Sequence, residues 1–309
     1  MATPSSSSSV SLGPWTRGFQ NFYDPTRAPP GTLVAAKNVT VESDGIVVSR
    51  AGYILKSVGA HSVFTHQGRF YGVYKDTINE FFEDRPVSLD FPVTGKVNWA
   101  VLNNEPLFFN REVIGKISLT EGVTGLGGKY AFEGGSKHPY RDLFSATKLP
   151  MVGGTYARYW RSRLLVARGR TLYVSDPFMY GVYDSRSGVV PLPARIDFLE
   201  AVEGGVFVAL RGLGVYFLAG TSPEDWQLKV ADVITAQPNT SLVIPTAQMK
   251  LDIQTRPEWV AVWLTSKGFA IGLPNGSVIY PQADLLSGLP LGSTGSLSFE
   301  GDRLIALTQ

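Results

Sequence analysis

The 309-residue chain contains no cysteine, which excludes disulfides, thiolate metal sites and cysteine nucleophiles. Charge is also scarce and balanced, with 28 basic and 26 acidic residues. A nucleic-acid binder depends on clustered lysine and arginine, so sequence-specific binding of nucleic acid is not expected. No apolar run approaches the roughly 18–20 residues of a membrane helix. The Ser-rich start, residues 1–14, has neither the basic nor the apolar region of a secretory signal.

Motifs of enzyme chemistry are missing as well. The three histidines, His61, His66 and His138, form no H-x-x-x-H or H-x-H pattern, and no G-x-S-x-G motif occurs. Some carboxylates are candidates for acid–base chemistry, but their neighbours place them in turns or at strand ends, where no glycosidase pair can be assigned. These candidates are Glu83, Asp84, Asp90, Asp142, Asp176, Asp197 and Glu200. We therefore expect no enzyme activity, no metal and no other cofactor.

Short β-hairpins recur along the chain. With 33 glycines and 20 prolines, turns are favoured over long helices. Residues 163–174 read as two apolar arms around a polar turn, RLLVA-RGR-TLYV, and residues 206–218 repeat this plan. Similar units start at residues 69, 106, 259 and 303, so that successive starts lie 37 to 57 residues apart. This spacing is typical of β-propeller blades, which repeat every roughly 40–50 residues.

The sequence predicts an all-β fold, a β-propeller of six four-stranded blades. A further strand candidate precedes each hairpin, for example QMKLDIQ before the unit at 259. Strands 296–300 and 303–308 would pair with the N-terminal hairpin 34–50 to complete the sixth blade, which removes exposed edges. A β-sandwich pair is the main alternative. Residues 1–30 are predicted to form a flexible tail and aromatic arm, residues 31–309 a single propeller domain, and segments 120–150 and 233–242 long loops.

Two groups of side chains are candidates for subunit contacts. The aromatic residues of the arm would either fold back onto their own domain or dock on a neighbouring subunit, because aromatics anchor interfaces. With two tyrosines of the first loop, the candidate interface residues are Trp15, Phe19, Phe22, Tyr23, Tyr130 and Tyr140. A basic cluster is expected to form salt-bridged blade edges or a subunit contact, since strand alternation divides it between two faces. It comprises Arg158, Arg161, Arg163, Arg168 and Arg170.

Four segments resemble tail-associated β-propeller proteins of tailed bacteriophages, in the same order, over about residues 17–285. The first, GFQNFYDPTRAPPGTLVAAKNVTVESDGIVVSRAGY, carries the matching positions Ala36, Asn38, Val39, Val41, Gly45, Arg50 and Gly52. The second is LLVARGRTLYVSDPFMYGVYD, in which a predicted strand ends at Ser175-Asp176-Pro177. The other two are FVALRGLGVYFLAGTSPEDWQLKVAD and GFAIGLPNGSVI. One departure is Gly18-Phe19-Gln20-Asn21, where the family has Gly-x-Asn.

The resemblance implies a non-catalytic structural protein of the virion tail, a nozzle or tail-tip component made in the host cytoplasm. Such a protein assembles with copies of itself and with other tail proteins, in rings around the DNA path or as a carrier of tail fibres. Two alternatives stay open. One is a glycan-binding or glycan-hydrolysing propeller at the tail tip, with Trp99, Tyr130, Tyr140 and Tyr180 stacking on sugars. The other is a soluble bacterial propeller that acts as a protein–protein scaffold.

Overall fold

The computed structural model describes residues 29, 32, 39–41, 47–49, 59–82, 85–118, 122–128, 139–248, 259–282, 288–289, 291–300 and 303–308. In this part of the chain the structure is all-β and contains no α-helix. Within the described ranges there are two single-turn 3₁₀ helices, at Arg141–Leu143 and Thr246–Gln248. No helix among the described residues is long and apolar enough to cross a membrane.

The chain folds first into a short hairpin and then into two four-stranded sheets. The hairpin pairs β1 (Val39–Val41) with β2 (Val47–Ser49). Blade 1 consists of β3 (His61–His66), β4 (Arg69–Tyr74), β5 (Thr77–Phe82) and β6 (Arg85–Pro92). Blade 2 consists of β7 (Asn98–Leu102), β8 (Glu105–Phe109), β9 (Val113–Ser118) and β10 (Gly122–Gly128). Within each blade, consecutive strands pair antiparallel.

Three more four-stranded sheets follow. Blade 3 is β12 (Tyr156–Trp160), β13 (Arg163–Arg168), β14 (Thr171–Val174) and β16 (Val189–Pro191), with a small side sheet of β11 (Lys148–Pro150) and β15 (Val182–Asp184). Blade 4 is β17 (Ile196–Val202), β18 (Gly205–Leu210), β19 (Gly214–Ala219) and β20 (Gln227–Asp232). Blade 5 is β21 (Ala236–Pro245), β22 (Trp259–Thr265), β23 (Gly268–Gly272) and β24 (Val278–Ile279). A terminal hairpin, β25 (Gly295–Glu300) with β26 (Arg303–Thr308), comes last.

The first strand of each blade lies on the inside of the assembly of sheets. Strand β12 contacts β7 and β17, and β21 contacts β17 and β25, so the inner strands follow one another in chain order. Blades 1 and 2 are joined where the Trp99 indole N–H and the Val97 amide donate to Ser62. Sheets that succeed one another around an axis, each with its first strand innermost, form a β-propeller. The fold is therefore an all-β propeller of four-stranded blades.

Apolar side chains fill the spaces between consecutive blades. One large cluster joins blades 3, 4 and 5, where the rings of Phe198 and Phe207 lie 5.3 and 5.4 Å from that of Trp263. Between blades 1 and 2, Phe91 packs edge-on against Phe108 at 4.9 Å. Separate clusters join blade 2 to blade 3 and blade 5 to the terminal hairpin. The blades are therefore held together by burial of apolar surface, the main favourable term in folding.

The predicted hairpins are confirmed, but each of the two segments predicted as loops, 120–150 and 233–242, contains strand residues. Gly122–Gly128 is β10, which pairs with β9, and its glycines allow close backbone contacts: a Cβ on Gly127 would lie 1.9 Å from the Met151 carbonyl oxygen. Ala236–Pro245 is β21, the inner strand of blade 5, a position predicted for QMKLDIQ, most of which lies outside the described residues. Pro238 fits there because an inner strand has one unpaired edge.

Candidate functional site: a groove across the inner strands

A groove of about 840 Å³ crosses the inner strands of blades 2 to 5. The groove lies at the C-terminal ends of β12 and β17, where the chain turns from the first into the second strand of each blade. Val101 of β7 and Leu242 of β21 contribute apolar surface, whereas Arg158 of β12 and Glu200 of β17 contribute charge. We refer to this feature as the axial groove. Its walls belong to rigid strands of four different blades, which fixes the relative positions of its side chains.

An ion pair between neighbouring blades forms part of the axial groove. Nε of Arg158 donates to Oε2 of Glu200, and Nη2 donates to Oε1, both at 2.7 Å. The Ser241 hydroxyl of blade 5 donates to the same Oε1 at 2.8 Å. The Glu200 side chain is 1% exposed and that of Arg158 is 23% exposed. Burial lowers the pKa of Arg158, but the Glu200 carboxylate outweighs this effect and raises the pKa overall. Arg158, Glu200 and Ser241 thus link three blades in one charge-assisted network.

Two more side-chain hydrogen bonds connect blade 3 to blade 4. The indole N–H of Trp160 donates to the Val202 carbonyl oxygen at 3.0 Å, and Nη2 of Arg161 donates to the Glu203 carbonyl oxygen at 3.2 Å. The Arg161 guanidinium also lies 5.1 Å from the Trp160 ring centroid, within reach of a cation–π interaction. In both bonds, as in the Arg158–Glu200 pair, the partners are 42 residues apart. Each contact therefore joins equivalent positions of successive blades.

Two aromatic side chains of the axial groove are exposed to solvent. Tyr159 on β12 is 38% exposed, and Trp259 at the start of β22 is 45% exposed. The ring of Tyr159 packs edge-to-face with that of Tyr180, with 6.1 Å between centroids. A surface aromatic ring that is held in place offers a preformed apolar face to a ligand.

A second polar network lies at the other end of β12. The Tyr156 hydroxyl donates to Oδ1 of Asn239 at 2.7 Å, and Nδ2 of Asn239 donates to the Thr294 hydroxyl at 2.8 Å. Burial, assisted by the nearby Asp197 carboxylate, raises the pKa of Tyr156 to about 12. Asp197 is itself paired with Arg211, 2.8 Å from Nη2 to Oδ1. This network joins blade 3 to blade 5 and to the segment that leads into the terminal hairpin.

The candidate interface residues fall mostly outside the described part of the chain: Trp15, Phe19, Phe22, Tyr23 and Tyr130. Tyr140 is described and is half-buried, packed on the cluster between blades 2 and 3. Its ring lies against Gly181, where a Cβ would be 2.5 Å from the tyrosine Cδ2. Burial raises the pKa of Tyr140. Tyr140 therefore contributes to packing within the propeller.

Two aromatics expected to stack on sugars are not free to do so, which corrects that expectation. Tyr180 is buried, and its hydroxyl accepts a hydrogen bond from Asn103 at 3.0 Å. Trp99 is half-buried and stacks on Phe64 with 5.4 Å between centroids. The exposed pair Tyr159 and Trp259 was missed. The sequence signal that could have identified them is the repeat itself, which places the ends of inner strands and the starts of second strands at one site.

The Ser-Asp-Pro segment has a structural role in blade 3. The buried Ser175 hydroxyl accepts from the Leu164 amide at 2.8 Å and donates to the Asp176 carbonyl oxygen at 2.9 Å. The Asp176 carboxylate accepts from Lys148, whose ammonium group also lies 3.3 Å from Asp184. The hydrogen bond that Lys148 donates to Asp176 raises the pKa of Lys148. Across the described ranges, no group of three or more His, Asp or Glu side chains is placed to hold a metal ion.

Comparison with known proteins shows a likeness in fold only. No family model and no curated protein matches the chain. One similar solved structure is an extracellular domain described as that of a one-component system, BT4673, from B. thetaiotaomicron. It is 11% identical with a TM-score of 0.51, and the match covers 85% of this chain and 34% of that one. This chain thus spans about a third of that domain's length.

Two further structures are less similar. The computationally designed Ika8 protein is 9% identical with a TM-score of 0.45, and the match covers 81% of this chain and 68% of that one. The gluconolactonase XC5397 from Xanthomonas campestris is 12% identical with a TM-score of 0.44, and the match covers 78% and 82%. At these identities the similarity concerns the course of the backbone and transfers no activity.

Proposed function

We propose that the chain is a non-catalytic structural subunit of a bacteriophage tail, at the nozzle or the tail tip. It assembles with copies of itself and with other tail proteins. The proposal combines the phage-like order of sequence segments over residues 17–285 with a rigid propeller scaffold. Its localisation is accordingly the virion, after synthesis in the host cytoplasm.

The observation that carries the proposal is the use of the charged side chains. Side chains that the sequence offered as catalytic candidates hold strands and blades together, as in the pairs Arg158–Glu200, Arg211–Asp197 and Lys148–Asp176. A carboxylate engaged in this way accepts charge-assisted hydrogen bonds from a neighbouring cation and so fixes the arrangement of strands and blades. Such pairs suit a subunit whose role is to keep its shape.

The polar network of the axial groove also bears on how such a subunit would be placed in a tail. Arg158, Glu200 and Ser241 extend from three inner strands towards one another. These side chains tie the inner strands of blades 3, 4 and 5 together. We propose that a subunit fixed in this way is one of several arranged around the DNA path, as the resemblance to tail propellers implies.

We also propose that the propeller is a closed ring of six blades. The terminal hairpin packs Leu297, Phe299 and Leu304 on blade 5, while Leu307 is exposed. On blade 1, Phe70 is exposed. We propose that the hairpin β1–β2 adds to β25–β26 to complete a sixth blade and covers this apolar surface, which closes the ring as in other propellers.

Genetics tests the proposed function most simply. The gene would be deleted from the genome that encodes it, and the deletion complemented with the full chain or with residues 31–309. We expect particles without functional tails after deletion, rescue by the full chain, and no incorporation of the shortened chain although it folds. Normal infectious particles after deletion would overturn the proposal. Genes for a portal, a tail tube or a tape-measure protein beside this one would support it.

A further inference from the structure

The axial groove has the composition of a small-molecule site. Its volume of about 840 Å³ lies within the roughly 300–1,000 Å³ typical of ligand pockets. Its surface combines apolar positions such as Val101 and Leu242 with the polar network of Arg158 and Glu200. A mainly apolar wall with a few fixed polar groups is the arrangement that binds ligands with defined orientation.

The charges of the axial groove are balanced. Two arginines, Arg158 and Arg161, and two glutamates, Glu200 and Glu203, line it. Arg158 is engaged with Glu200 on both prongs, and Arg161 is held by the Trp160 ring and the Glu203 carbonyl oxygen. The Arg158 charge is neutralised by Glu200, and the two arginines and two glutamates together give the groove no net charge. An uncharged ligand is therefore favoured.

The polar groups also argue against a purely hydrocarbon ligand. Such a ligand would cover the exposed part of Arg158, 23% of its side chain, without replacing the hydrogen bonds of that part to water, at a cost in free energy. A ligand with several hydroxyl groups can replace those bonds. The groove thus fits a neutral molecule that has both hydroxyl groups and an apolar face.

The exposed aromatics specify the shape of that molecule. Tyr159 and Trp259 are exposed aromatic residues on different blades that border the same groove. A pyranose ring presents a face of C–H groups that stacks on an aromatic ring, and a rim of hydroxyl groups that hydrogen-bonds to polar side chains. The two aromatic rings and the polar side chains of the groove therefore match a short chain of neutral sugars.

We propose that the axial groove binds a neutral oligosaccharide, with Tyr159 and Trp259 as stacking platforms and the exposed parts of the Arg158 and Arg161 side chains as hydrogen-bond donors. The binding involves no reaction of the sugar. This site does not rest on the assignment of the chain to a phage tail. Failure of sugar binding would leave that assignment untouched, and failure of the tail assignment would leave the site untouched.

The test uses the full chain and a panel of neutral oligosaccharides: maltotriose, cellotriose, chitotriose and mannotriose, with sialyllactose as an acidic comparison. Saturation-transfer NMR and changes in tryptophan fluorescence report binding. We expect at least one neutral sugar to bind, and Trp259→Ala and Tyr159→Ala each to weaken it about tenfold or more. Trp259→Phe keeps a smaller aromatic platform and should retain part of the affinity.

The matched control is Phe82→Ala, which removes an exposed aromatic of blade 1 outside the groove and should leave the affinity unchanged. Thermal melting of each variant shows that loss of binding is not loss of fold. The proposal is overturned by a wild-type chain that binds none of the neutral sugars, or that binds only the acidic one. It is equally overturned by binding that survives both Trp259→Ala and Tyr159→Ala.

Discussion

Arg158 and Glu200, 42 residues apart in the chain, join two blades through two hydrogen bonds of 2.7 Å. Both side chains lie on inner strands, and Glu200 is almost completely buried. Because 42 residues is about the length of one blade repeat, residues at equivalent positions of the repeat contact each other in neighbouring blades.

Removal of one partner of this pair should destabilise the protein strongly. Glu200→Ala leaves the Arg158 guanidinium without its counter-charge, and breaking a buried pair in this way costs about 3–5 kcal/mol. The double variant Arg158→Met with Glu200→Leu should cost much less, since no charge is left unpaired. Urea unfolding followed by tryptophan fluorescence measures both.

A matched control is the more exposed pair Arg69–Glu80 on blade 1, with side chains 48% and 24% exposed. Glu80→Ala should change the unfolding free energy by no more than about 1 kcal/mol. Equal effects of Glu200→Ala and Glu80→Ala would contradict the role assigned to the axial network.

Alkaline pH should destabilise the folded protein through ionisation of the Tyr156 hydroxyl, which donates a hydrogen bond to Asn239. Its pKa is about 12 in the folded protein against 10.0 for an ordinary tyrosine, so the folded state holds the phenolic proton more tightly. The corresponding stability is complete below pH 10 and decreases as the pH rises from about 10 towards about 12. In Tyr156→Phe this part of the pH dependence should disappear. Unfolding free energies measured across that range for both proteins decide the matter, and identical slopes would show that Tyr156 does not contribute.

Gly204 should be intolerant of any side chain. It lies in the turn of blade 4, where a Cβ would come within 1.9 Å of the Pro274 carbonyl oxygen of blade 5. Gly204→Ala must separate the two blades locally, and we expect a cost of about 1–3 kcal/mol, as for overpacking. Gly212→Asn is the comparison, since Gly212 has φ +75 and open space around it, and asparagine tolerates that conformation. A smaller loss for Gly204→Ala than for Gly212→Asn would contradict the close contact.

Ring closure can be tested by cross-linking because the chain has no native cysteine. Thr65→Cys on β3 and Ser298→Cys on β25 would face each other if the terminal hairpin packs beside blade 1, with sheets about 10 Å apart. A bismaleimide of similar length should then link them within one chain, as read by peptide mass spectrometry. The pair Val101→Cys with Ser298→Cys should not react. Absence of the first cross-link would contradict a ring closed between these blades.

Most strands were predictable because short apolar runs flank recognisable polar turns. The units at Arg163–Arg168 and Gly205–Leu210 are examples, and their spacing indicated a propeller. Strand β21 was missed because its register is irregular between Ala236 and Ser241 and Asn239 has φ +60. Such a strand keeps no simple alternation.

The candidate site was less predictable than the fold. In the sequence, Arg158 belongs to a basic cluster and Glu200 is one of several separate carboxylates. Their pairing depends on which residues of adjacent blades lie side by side. Trp259 reads as an ordinary strand residue, and its exposure follows from its position at the start of β22 beside the groove. Which residues line the groove depends more on their position in the blade repeat than on their residue type.

The central claim, that this propeller is a structural component of a phage tail, is tested most directly by quantitative mass spectrometry of purified particles. Particles from a culture that produces the chain would be purified through successive density gradients and digested. The account predicts that the chain remains with the particles at a constant ratio to the major tail protein. Its absence from the particles, or its loss at each gradient step, would contradict the account.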